Sequence, residues 1–148
     1  MPRRTTVPRK LKYEVVPLNK TVDREIKASY SITVQASDMA PTPRTTSTTV
    51  DVAILDVNDN APVITSDGGG ASATKNVAEN GSAVTTVTAT DVDTGTTLTY
   101  SITGGADSAK FSINSSTGVL SFVSAPDYEN PTDAGGNNVY DVTVQVSD

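Results

Sequence analysis

The chain has 148 residues and a net charge of −6, with 11 Lys and Arg against 17 Asp and Glu. It has no Cys, His or Trp, which removes disulfides, the usual zinc, copper and iron ligands, thiol nucleophiles and every His-based triad. The acidic balance argues against nucleic acid, which needs a basic surface, and suits a cation bound through oxygen alone.

Taken in chain order, Arg3, Arg4, Arg9, Lys10 and Lys12 crowd the first residues with no apolar stretch behind them. This reads as a basic tail and not as a secretory signal. Tyr30, Ile32 and Val34 then alternate with Ser31, Thr33 and Gln35, and Val50, Val52 and Ile54 alternate with Asp51 and Ala53. Such a period of two, with one polar face, predicts antiparallel strands packed on one side. Asp56-Val57-Asn58-Asp59-Asn60 follows, closed by Ala61-Pro62. Four of its five side chains carry oxygen, and their crowding is unfavourable unless a cation absorbs the repulsion. Asp and Asn are also the commonest turn formers, so the run alone leaves both readings open.

Gly68-Gly69-Gly70 marks a turn, Val84 and Val87 form a less regular apolar pair, and Asp91-Val92-Asp93 precedes a second turn at Thr94-Gly95. Leu98, Tyr100 and Ile102 alternate again, Ser115 to Gly118 turns the chain, and Tyr140, Val142, Val144 and Val146 make a last alternating run. No apolar run approaches the roughly 20 residues of a membrane helix. Short strands between turn signals, with a thin core of Val, Ile, Leu and Ala, predict an all-β sandwich.

The chain also repeats itself. Ser29 to Asp38 recurs as Val139 to Asp148, with Tyr, Thr, Val, Gln, Ser and Asp coinciding at a spacing of 110. Asp23-Arg24-Glu25 recurs as Asp127-Tyr128-Glu129 at a spacing of 104, and the difference falls in Asn130 to Asn138, which reads as a surface loop. A partner for Asp56 to Asn60 would fall beyond residue 148. Partners for Glu79 and Asp91 to Asp93 would fall before residue 1. The chain therefore reads as the back part of one repeat followed by the front and middle of the next.

With these motifs in this order, the chain resembles the cadherin repeat. The matching segments are Asp23-Arg24-Glu25, Ala36-Ser37-Asp38, Asp56 to Pro62, Ala78-Glu79-Asn80, Asp91-Val92-Asp93, Tyr100-Ser101-Ile102, Phe111 to Gly118, Asp127-Tyr128-Glu129 and Val146-Ser147-Asp148. The resemblance implies seven-stranded Greek-key, immunoglobulin-like sandwiches joined end to end, with Ca²⁺ ions at each junction, and divides the chain into a basic tail and first strand over 1–20, the back of one repeat over 21–62, and a second repeat over 63–148 without its last strand. It implies ligands at Asp23, Glu25, Asp56, the Val57 carbonyl, Asn58, Asp59 and the Asn60 carbonyl from one repeat, and at Asp91, Asp93 and Asp148 from the next. Asp38, Glu79, Asp127 and Glu129 would serve neighbouring junctions. Its further implications are calcium-dependent cell adhesion, an extracellular or cell-surface setting in a parent that is membrane-anchored or secreted, and other cadherin repeats, homophilic ones included, as partners. No catalysis is implied. The chain departs from the pattern in lacking the first-strand Glu of its first repeat, and the segment from Asp91 to Tyr100 is short and lacks an Asn that completes a site elsewhere. Both departures predict weakened calcium affinity.

Three other readings compete. Asp93-Thr94-Gly95 is the tripeptide of aspartic proteases, but their chemistry needs two such carboxylates and the chain has one. An EF-hand starting at Asp56 fails because Ala61 stands where its turn needs Gly, Asp67 stands where it needs Glu, and the flanks are strand-like. A structural spacer or carbohydrate-binding module of a secreted bacterial surface protein suits the Ala, Thr and Gly content, with Tyr128 as the aromatic that would stack on sugar.

Overall fold

The structure, a computed structural model, describes residues 22–38 and 40–148. The expected basic tail lies outside the described residues. The chain divides into two compact units, one ending at Ile54 and the other running Leu55–Asp148.

In the first unit, strands β1 (Ser29–Ser37) and β2 (Thr45–Ala53) form an antiparallel hairpin in unbroken register from Ser29↔Ala53 to Ser37↔Thr45. The alternation places Tyr30, Ile32 and Val34 on one face, opposite Val52, Val50 and Thr48. Lys27 lies 4.4 Å from the centroid of the Tyr30 ring, a cation–π contact that covers its apolar surface. The Asp38 carboxylate closes the loop by accepting the Arg44 N–H at 2.8 Å and the Ala40 N–H at 3.4 Å.

The second unit is built from β3 (Val63–Ile64), β4 (Ala83–Thr86), β5 (Ala89–Thr90), β6 (Thr99–Gly104), β7 (Phe111–Ile113), β8 (Val119–Phe122) and β9 (Thr143–Ser147). Every pairing is antiparallel: β4-β8-β7 forms one layer, β6-β9 faces it, and β3-β5 makes a short ribbon. The fold is thus the all-β sandwich that the alternating runs predict, and two short 3₁₀ turns are the other regular elements among the described residues.

The core sits between the two layers. Phe111, Leu120 and Phe122 are buried, with Ile102, Tyr140, Val142 and Val144 packed over them. Phe111 and Phe122 stack at 4.5 Å, and Tyr140 meets both edge-on at 6.5 and 5.1 Å, the geometry the ring quadrupole favours. The irregular Val84/Val87 pair has a structural cause. Ala83 opposes Ser121 and Thr85 opposes Leu120, so Val84 is the extra residue of a β-bulge and the inward parity shifts by one. Val87 is consequently buried at the end of this strand. The turn after β7 is fixed by Asn114, whose side-chain oxygen accepts the N–H groups of Ser116 and Thr117, both at 3.0 Å. Gly118 completes that turn at φ 70°, where a Cβ would overlap the Val87 carbonyl.

The loop from Asn130 to Asn138 is largely exposed, as expected, and is tied down through two buried carboxylates, Asp107 and Asp133. Asp107 accepts the N–H groups of Ala134 at 2.7 Å and Asp141 at 2.9 Å. Asp133 accepts those of Gly135, Asn137 and Asn138, each at 3.0 Å.

Candidate metal centre

Strand direction gathers the acidic residues of the second unit. The β3-β5 ribbon pairs Val63 with Thr90, which brings the residues just before β3 beside those just after β5. These are Asp59-Asn60 and Asp91-Val92-Asp93. The β6-β9 pair sets Ser147 opposite Thr99, which delivers Asp148 to the same end. Three segments far apart in sequence therefore meet because their strands terminate together.

Asp93 is the centre of the cluster and is only 4% exposed. Its Oδ2 accepts the backbone N–H of Asp59 at 3.0 Å and of Asn60 at 2.7 Å, and its Oδ1 accepts the Asn60 amide at 2.8 Å. The same Asn60 amide reaches Asp59 Oδ1 at 2.9 Å. Asp91 Oδ1 accepts the Asp93 N–H at 2.9 Å. Asp56 Oδ2 accepts the Thr94 N–H at 2.6 Å, and the Thr94 hydroxyl also donates to it. The acidic run is thereby clamped to the 91–94 segment by side chains.

Asp91, Asp93 and Asp148 bring carboxylate oxygens within 4.8 Å of one another. Oxygens sharing one calcium ion at 2.3–2.6 Å stand at most about 5 Å apart, so this spacing fits that ion. Asp91 Oδ2 is buried and accepts no hydrogen bond, although a buried carboxylate oxygen without a partner is costly. The ion pairs Arg24–Glu25 and Lys75–Asp67 occupy other parts of the chain, and no described Lys or Arg pairs with these three carboxylates. An oxygen-only donor set of this charge fits a hard divalent cation.

Of the other expected ligands, Asn58 and Val57 are exposed beside the cluster, Val57 at 66%. Asp23 and Glu25 belong to the first unit. There Asp23 caps a turn by accepting the Ile26 N–H at 3.0 Å, and Glu25 pairs with Arg24 at 3.8 Å. A second triad, Glu79, Asp127 and Glu129, is exposed and again brings carboxylate oxygens within 4.8 Å of one another. Two features escaped the sequence reading. Thr94 holds Asp56, and Asn60 contributes its amide as well as its backbone. The only signal for Thr94 was its place after Asp-Val-Asp, where the protease-like tripeptide drew attention to Asp93 instead.

A sandwich whose strand ends bring a buried, a half-buried and an exposed carboxylate together defines an all-β class with an acidic cluster at one end. A family model described as the cadherin domain matches residues 73–148. The chain is 33% identical over 136 residues to human protocadherin Fat 1, covering 90% of this chain and 3% of that protein. It is 40% identical over 117 residues to human protocadherin Fat 4, covering 76% of this chain and 2% of that one. The solved protocadherin gammaB7 EC3-6 cis-dimer is similar with a TM-score of 0.63 and 36% identity, over 73% of this chain and 28% of that chain. The chain belongs to the cadherin family, whose members are adhesion proteins and not enzymes. It spans only a few per cent of the length of the two human relatives.

Proposed function

We propose that this chain is a calcium-binding segment of a cell-surface adhesion protein, in which the ion orders the junction between successive cadherin repeats. The observation that carries the reading is the meeting of Asp91, Asp93 and Asp148 with Asp91 Oδ2 buried and unsatisfied. The ligand set is Asp56, Asn58, Asp59 and the carbonyls of Val57 and Asn60 from the acidic run, Asp91, Asp93 and Asp148 from strand ends, and Asp23 and Glu25 from the preceding repeat. On this reading the back of one repeat runs over 21–62 and the greater part of the next over 63–148, whereas the compact units divide between Ile54 and Leu55. The ion supplies positive charge where carboxylates otherwise repel, and that neutralisation converts binding energy into local order. Extracellular placement and pairing with other cadherin repeats, homophilic or otherwise, follow from the same reading and from the cis-dimer reported for protocadherin gammaB7.

Calorimetric titration with CaCl₂ is the test. Saturable heat is expected from the intact chain, and Asp91→Asn combined with Asp148→Asn should weaken it by at least tenfold. Titration of the intact chain without heat at millimolar calcium, the range of extracellular modules, removes the proposal.

A further inference from the structure

Asp56 opens the acidic run, which lies between β2 and β3 and outside every regular element. No ladder of backbone hydrogen bonds fixes it. Asp56 and Asp93 nonetheless bring carboxylate oxygens within 4.8 Å of each other. Without a cation these charges repel, and a side chain on irregular backbone responds by turning away. Thr94 opposes that movement. Its N–H donates to Asp56 Oδ2 at 2.6 Å, and its hydroxyl donates to the same oxygen.

The local chain sets up this double donation. Asp91 Oδ1 accepts the Asp93 N–H at 2.9 Å, which bends the segment before Thr94. Gly95 turns it again at φ 82°, a conformation open to glycine at little cost. Branching at Cβ restricts χ1 of Thr94, so its hydroxyl gives up little freedom in making the bond. Thr94 is itself exposed, so its side chain supports no core. An ionised carboxyl offers about four lone-pair sites, and two donors on Oδ2 leave acceptor capacity for a cation. Asp93 differs in that its Oδ2 is held by the backbone N–H groups of Asp59 and Asn60. Asp56 owes one of its two Thr94 bonds to a hydroxyl, which a single substitution removes.

We propose that Thr94 is a positioning residue of the calcium site, holding Asp56 in its ligating place before the ion arrives, a role that rests on the calcium reading above. When the competent arrangement is populated only part of the time, apparent affinity falls by that fraction. One hydrogen bond to a charged group shifts such a population about tenfold.

Calorimetric titration of the full chain with CaCl₂ tests the role. Thr94→Val keeps the side-chain shape and the N–H but has no hydroxyl, and it should bind about tenfold more weakly than the parent. Thr94→Ser should restore most of the affinity. Thr96→Val removes a hydroxyl directed at the Asp93 carbonyl, at 3.4 Å, and should leave affinity unchanged. Amide exchange reads the ion-free state directly. In EGTA the N–H of residue 94 should exchange faster in Thr94→Val than in the parent, because Asp56 spends less time on it, and saturating calcium should bring the two rates together. Equal affinities for the parent and Thr94→Val overturn the role of Thr94 and leave the calcium site standing. Equal weakening by Val and Ser overturns it as well, since Ser retains the hydroxyl, and so do equal exchange rates in EGTA. A parent that gives no heat removes the calcium site itself, and the role of Thr94 with it.

Discussion

Two neighbouring carboxylates, Asp93 and Asp91, have opposite expected signatures. Asp93 is held by three N–H donors from Asp59 and Asn60. Asp93→Ala strands those donors in a buried site and should cost about 3 kcal/mol under chelator, with a further loss in saturating calcium because a ligand is removed as well. Asp91 keeps one oxygen bonded and one unsatisfied. Asp91→Asn preserves the bond from the Asp93 N–H and removes one charge from a triad of three. Under chelator its melting temperature should equal or exceed that of the parent, and in saturating calcium it should fall below it. Paired melts in EGTA and CaCl₂ check both substitutions. A loss of the same size for Asp91→Asn in the two buffers would mean that the side chain serves packing and no ion. Gly118 is a third residue-scale case. Its φ of 70° combined with overlap on the Val87 carbonyl makes Gly118→Ala cost about 3 kcal/mol, measurable by denaturant titration.

At the scale of elements, the 130–139 loop depends on pH through Asp133. The Asn137 N–H holds its carboxyl below the usual range, opposed by desolvation and aided by the N–H groups of Asn138 and Gly135. A folded pKa below the unfolded one gives stability that is complete above the ordinary carboxylate value and is lost as pH falls through the folded value. Below about pH 4, amide exchange of Gly135, Asn137 and Asn138 should therefore accelerate before that of β8. Asp133→Asn should flatten that dependence. Legibility in the sequence follows the same physics. β1, β6 and β9 were readable because each keeps one apolar face over several residues, and the 56–60 and 91–93 runs because their oxygen donors are contiguous. β4 was not, because its bulge breaks the period at Val84. β3 and β5 have two residues each, too few for any period to show. The buried roles of Asp107 and Asp133 were hidden as well, since an acid surrounded by Gly, Asn and Pro looks like any exposed turn until its N–H partners are placed.

At the scale of the whole molecule, a net charge of −6 lets any cation stabilise the chain to some degree by screening, so calcium stabilisation alone does not establish a site. The two causes separate by concentration. Screening acts through ionic strength, with a Debye length near 10 Å at about 0.1 M salt, and a few millimolar CaCl₂ adds almost nothing to that. Ligation instead follows mass action and contributes about 2.7 kcal/mol per site at a hundredfold excess over Kd. For a unit the size of Leu55–Asp148 this is a rise in Tm of roughly 10–20 °C. Millimolar calcium in 150 mM NaCl should produce that rise, and a matching increase of NaCl should not. Magnesium should fall well short, because it keeps several waters and demands octahedral geometry, where this cluster offers carboxylates on separate strand ends. Protease cleavage between residues 56 and 93 should be suppressed over the same calcium range, because both ends of this stretch carry carboxylates of the proposed site. If NaCl reproduced both the Tm rise and the protection, the acidic strand ends would be a diffuse negative patch and the proposed calcium site would fall.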